Sequence, residues 1–153
     1  MARLADIPEP ERTVIADLDC TEYEVTPPTR PAAAADRRVA IVSTAGLIVR
    51  GERPMLANET GYRAIADTVT DGDILCSHVS TNFDRSGFQQ DVNVMLPRAR
   101  LLELESAGRT GKAAATHYAF MGATRPEKLE DKARELGRSM LALGVNTVVL
   151  APV

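Results

Sequence analysis

The chain holds two histidines, His78 and His117, and each stands where a run of strand-like residues gives way to a more polar one. Behind the first comes "SHVSTNFDRSGFQQDVNVMLP", which gathers Asp84, Asp91, Asn82 and Asn93 into one segment. An imidazole near a carboxylate holds or passes a proton close to neutral pH, the chemistry of a general acid or base. Amide side chains orient a small polar substrate by donating and accepting at once. Thr44 adds a hydroxyl where another apolar run ends. His78, Asp91 and His117 are therefore the candidate catalytic residues, and Thr44, Asn82, Asp84 and Asn93 the candidate substrate-binding ones. Each has a plainer reading. The histidines can simply close strands, and Asp84 begins good turn chemistry in Asp-Arg-Ser-Gly. Asn93 is placed to cap a following helix, and Tyr118 and Phe120 read as core.

These residues need elements to position them. "RRVAIVSTAGLIV" contains Val39, Ala40, Ile41 and Val42, an unbroken apolar run typical of a strand buried on both faces of a parallel sheet. "DILCSHVS" is a second, shorter strand candidate, "KAAATHYAFMG" a third and "VNTVVLAPV" a fourth. Between them "LPRARLLELESAGRTG" predicts a helix with Leu101, Leu102 and Leu104 toward the core and Gly108 as its stop. "TRPEKLEDKARELGRSMLALG" predicts another, with Thr124 as N-cap and Pro126 in the first turn. Its stripe is Leu129, Ala133, Leu136, Met140 and Leu143, and Gly144 ends it.

Strands alternating with helices predict an α/β fold with a mostly parallel sheet flanked by helices, Rossmann-like but an incomplete half. Residues 1–36, with prolines crowded in "TPPTRP", predict an N-terminal arm, holding at most a short helix near residues 10–18. Residues 37–153 are the α/β domain. In open α/β sheets ligands bind beyond the carboxyl ends of the strands, which is where the candidate residues fall.

Composition narrows the function. A length of 153 residues predicts one domain with a real core, and 44% hydrophobic and 25% charged residues are ordinary for a globular chain. A net charge of −3 argues against a nucleic-acid partner. No apolar run approaches membrane-spanning length, and the first residues lack a signal-peptide core, so the expected location is the cytoplasm. Cys20 and Cys76 are expected as free thiols, Cys76 as a small buried hydrophobe, and neither shows metal-ligand spacing. No phosphate-cradling glycine motif is present, and no metal is expected.

The segments "SHVSTNFDRSGFQQDVNVMLPRARLLELESAGRTG", "HYAFMGAT" and "GVNTVVLAPV" resemble the component B family (selenoprotein B) of the glycine/sarcosine/betaine and D-proline reductases, from about Val39 to Val153. The resemblance implies an oxidoreductase that cleaves a carbon–nitrogen bond of an amino acid or related amine with a dithiol as electron donor. It also implies a selenocysteine or cysteine directly after a strand of the "VVLAPV" type. This chain ends at Val153, where that residue is expected, so the domain reads as truncated before it, by a recoded UGA, a cut or a natural split. Neither Cys20 nor Cys76 matches its position, and no other cofactor is implied. The expected partners are a small amine or amino acid and a companion subunit or second copy covering the apolar terminal strand. The alternative is a non-catalytic binding or assembly subunit that lacks the nucleophile. An acid–base enzyme using His and Asp alone is a third, weaker reading.

Overall fold

A computed structural model describes residues 3–17, 22–80 and 85–153; Cys20, Asn82 and Asp84 lie outside them. Strands β1 (Arg38–Ser43), β3 (Tyr62–Ala66), β5 (Lys112–Ala113), β6 (Thr116–Phe120) and β7 (Thr147–Ala151) form one sheet. Strands β2 (Leu47–Val49) and β4 (Ile74–Cys76) form a separate antiparallel pair. The helices are α1 (Glu11–Ala16), α2 (Ser86–Gln90), α3 (Arg98–Ser106) and α4 (Pro126–Ala142). The protein is thus mixed α/β with a mostly parallel sheet. Residues 22–33 carry neither helix nor strand.

β1 is the centre of the sheet because its apolar run has neighbours on every side. It runs parallel to β7 on one flank and to β5 and β6 on the other. Val39, Ala40 and Ile41 are all nearly inaccessible. Side chains alternate across a strand, so β1 feeds two cores. Val39 and Ile41 pack with Leu101 of α3, Ala119 of β6 and Ile65 of β3. Ala40 packs on the other face with Tyr118, Phe120 and Leu136 of α4. The Tyr62 ring meets Tyr118 edge-on and Phe120 at a tilt, which holds β3 to that face. β3 is antiparallel to β6 and closes that side.

α4 follows its sequence pattern closely. Pro126 occupies the first turn, where its missing N–H costs nothing, and Gly144 at φ +76° ends the helix. Leu136 is buried while Leu129 and Met140 pack partly against the core, but Leu143 is 56% exposed. Thr124 does not cap the helix. It is buried, and its Oγ1 donates to the Glu59 carbonyl at 2.9 Å, tying the start of α4 to the loop that leads into β3.

Three further expectations are corrected. Ile74–Cys76 is not a strand of the parallel sheet: it pairs antiparallel with Leu47–Val49, and three apolar residues suffice for so short a pair. On α3 the inward stripe is Arg98, Leu101 and Glu105, three and four residues apart, so Leu102 and Leu104 point outward. The strand expected across residues 112–122 is broken at Ala114 and Ala115. Three steps along β1, from Val39 to Val42, face five steps from Ala113 to Tyr118, so two extra residues bulge from the sheet.

Candidate functional site

The carboxyl ends of β1, β6 and β7 meet at a rim stitched by backbone bonds. Thr44 N–H donates to Ala151 O at 3.1 Å, and Gly122 N–H to Thr44 O at 2.8 Å. Thr44 Oγ1 accepts from Val153 N–H at 2.9 Å. Gly46, at φ +63°, turns the chain out of the rim, donating to Phe120 O and accepting from Ser77 N–H. Two glycines make this closeness available. A Cβ on Gly122 would stand 2.5 Å from Thr44 O, and one on Gly46 would stand 3.1 Å from His78 Cα.

His78 is therefore seated at the rim. It is buried, its Nδ1 accepts from Ser80 N–H at 3.1 Å, and its carbonyl accepts from the Arg85 guanidinium. Burial first, and then the Arg85 charge, hold the imidazole below its ordinary pKa. With Nδ1 accepting, the proton of the neutral ring resides on Nε2. Cys76 lies next to this segment, half-buried, with its thiol donating to Ala45 O at 3.6 Å.

Asp91 and Asn93 serve the chain locally. The Asp91 carboxylate accepts from Asn93 N–H at 2.9 Å and Nδ2 at 2.8 Å, which holds its pKa below the usual carboxylate value. Asn93 Oδ1 accepts from Ala99 N–H at 2.9 Å, satisfying a donor in the first turn of α3. The structure joins these two residues into a helix-entry clasp.

His117 occupies a different setting, mid-sheet on the α3 side. Its Nδ1 accepts from Ile41 N–H at 3.1 Å. Ile41 pairs with Val149 of β7, but the two-residue bulge leaves it without a partner on the β5–β6 side, and there the imidazole takes that place. With the side chain 2% exposed, burial pushes its pKa down to about 4; the Arg98 charge adds to this and Asp67 opposes it. At pH 7 the ring is a neutral backbone cap with its proton on Nε2.

A cleft of about 360 Å³ opens onto His117, walled by Asp67, Asp71, Arg98, Leu102, Glu105 and Ala114 among others. None of its walls comes from the loop that carries His78. Arg98 is 8% exposed and donates to Ala66 O, Val69 O and the Asp71 carboxylate. Sequence reasoning missed this group. One signal was present: an arginine in the first turn of a helix opposes the helix dipole, so something else must hold it there.

Among the described residues no group of three or more His, Cys, Asp or Glu side chains is arranged to hold a metal ion. No helix among them is long and apolar enough to cross a membrane. Comparison with known proteins adds no relative: no family model, no curated protein and no solved structure matches the chain.

Proposed function

We propose that this chain is the N-terminal α/β part of a selenol- or thiol-dependent reductase component, of the glycine/sarcosine/betaine and D-proline reductase kind. It would act on a carbon–nitrogen bond of an amino acid or related amine in the cytoplasm. The sequence segments quoted above suggest the family. The observation that carries the reading is the seat of the residues that follow β7. Val153 N–H is held by Thr44 Oγ1 at the sheet's carboxyl rim, next to the turn that seats His78. β6 and β7 flank β1, and α3 and α4 cover opposite faces. In a doubly wound, Rossmann-like sheet that change of face marks the ligand crevice.

A selenocysteine or cysteine joined to Val153 would supply a soft nucleophile at this rim. This chain's own residues do the rest. Thr44 fixes the backbone leading to that group, and His78 is neutral at pH 7 rather than a competing cation. Asn82 and Asp84 are the substrate-orienting residues of this reading, and residues 1–36 its arm.

The test is the coding sequence beyond codon 153 together with the protein it encodes. An in-frame UGA or cysteine codon followed by further α/β-patterned sequence is expected. The continued protein, with its companion subunits, should cleave one of glycine, sarcosine, betaine or D-proline while a dithiol is oxidised to a disulfide. Thr44→Ala should slow that cleavage. An unambiguous stop without continuation would reject the reading.

The open edge of β7 favours a second reading, a non-catalytic assembly subunit. Val148, Val149 and Leu150 are 39%, 41% and 71% exposed, and no lysine, proline or bulge blunts the strand. Either reading calls for a companion subunit or a second copy along that edge.

A further inference from the structure

We propose that the cleft between α3 and the broken strand β5–β6 binds a small organic cation that also carries a hydrogen-bond acceptor. The inner end of the site is His117. Its Nδ1 is committed to Ile41, which leaves Nε2–H as a donor, and that atom has no hydrogen-bond partner among the described residues. Nε2–H is not sealed off by protein, so it is a donor offered to whatever fills the cleft.

The outer end is Asp67. It is exposed, its side chain makes no hydrogen bond or ion pair among the described residues, and it is close enough to His117 to act on it electrostatically. The other two carboxylates of the cleft are already matched. Asp71 pairs with Arg98, and Glu105 accepts from Lys112 Nζ at 2.9 Å and from Ala113 N–H at 2.8 Å. Arg98 is the only cation in the wall, and its guanidinium is tied to two carbonyls and Asp71. With Arg98 set against Asp71 and Lys112 against Glu105, Asp67 leaves one negative charge in excess, which disfavours anions and offers one carboxylate to a positive charge. Leu102, Ala113 and Ala114 supply the apolar wall between the two polar ends, which accounts for Leu102 standing 52% exposed on α3. The volume suits a compact ligand rather than a nucleotide.

The experiment is a titration of the intact chain followed by backbone and imidazole NMR, with four probes built on the same three-carbon skeleton. 3-Aminopropanamide has both the ammonium and the carbonyl acceptor; propylammonium lacks the acceptor, propanamide lacks the ammonium, and propanoate keeps an acceptor but reverses the charge. 3-Aminopropanamide should shift the His117 ring nitrogens and the Ala113–Ala114 amides and bind tightest of the four, with propanoate leaving them unmoved. Asp67→Asn, which disturbs no side-chain bond of the fold, should weaken 3-aminopropanamide roughly fivefold. Three results would overturn the proposal: no probe moving the His117 resonances, propanoate binding as well as the cation, or Asp67→Asn binding unchanged. The first of these means that solvent alone meets the Nε2–H.

Discussion

His78 and His117 are the same side chain after similar apolar runs, and the fold gives them different employment. His78 sits against the turn at Gly46, two residues beyond Thr44, at the rim where three parallel strands end. His117 sits inside the sheet, where its ring replaces a backbone carbonyl that a bulge has removed. The first belongs to a place where ligands gather in α/β sheets; the second is fastened by its own architecture before any ligand arrives. A histidine's neighbours in sequence therefore say less about its chemistry than the register of the strand it stands on.

The comparison can be broken most severely at the rim. Gly122→Val would drive a side chain into Thr44 O, where a Cβ already stands 2.5 Å away and the obstacle is backbone. A loss on the order of 4 kcal/mol, or failure to fold, is expected in urea denaturation. A fold as stable as the parent would mean that the strand ends are not held as closely as described.

Acidification tests the other histidine. The folded value near 4 lies below the ordinary 6.5, so between them the unfolded chain binds a proton that the folded chain refuses. Stability is complete above pH 6.5, falls as the pH drops toward 4, and loses nothing more from this group below that. The loss across the window is about 3 kcal/mol. His78 is shifted in the same direction and adds to it. His117→Gln should flatten the pH dependence measured by denaturation between these limits.

His117→Leu, measured at pH 7, removes the acceptor and strands the Ile41 N–H in the core. A cost of about 2 kcal/mol is expected, with part of it recovered in His117→Gln, whose amide oxygen can still accept. Least affected in stability should be Leu150→Lys on the open edge of β7. The residue is 71% exposed, so the change falls within roughly 0.5 kcal/mol. Its effect belongs to association: sedimentation should show weaker pairing of the chain with itself or its companion, since a lysine on an edge discourages strand addition.

The strands and helices that bury a continuous or periodic apolar pattern were legible in the sequence. β1 and β7 show as β-branched runs, and α4 shows through Pro126, Leu136 and Gly144. The parts that were not legible depend on how strands meet. Nothing in "KAAATHYAF" announces that two residues will bulge, yet that bulge decides the role of His117, and Ala113 and Ala114 help to wall the cleft beside it. Nor does "DILC" reveal that it pairs with "LIV" outside the main sheet, because a three-residue apolar segment fits either place. Asn93 illustrates the opposite case: a cap for the next helix was one of its readings, and its Oδ1 accepts from Ala99 N–H in the first turn of α3. Leu102 and Leu104 looked like core because they cluster with Leu101 in one short apolar run. Arg98 and Glu105 took the inward positions instead.

The division of labour between the two histidines is best tested by long-range nitrogen–proton NMR of both imidazoles through a pH titration. His117 should remain neutral, with its proton on Nε2, until the pH falls well below 5. A His117 ring that carries its proton on Nδ1, or that titrates near 6.5, would contradict the account.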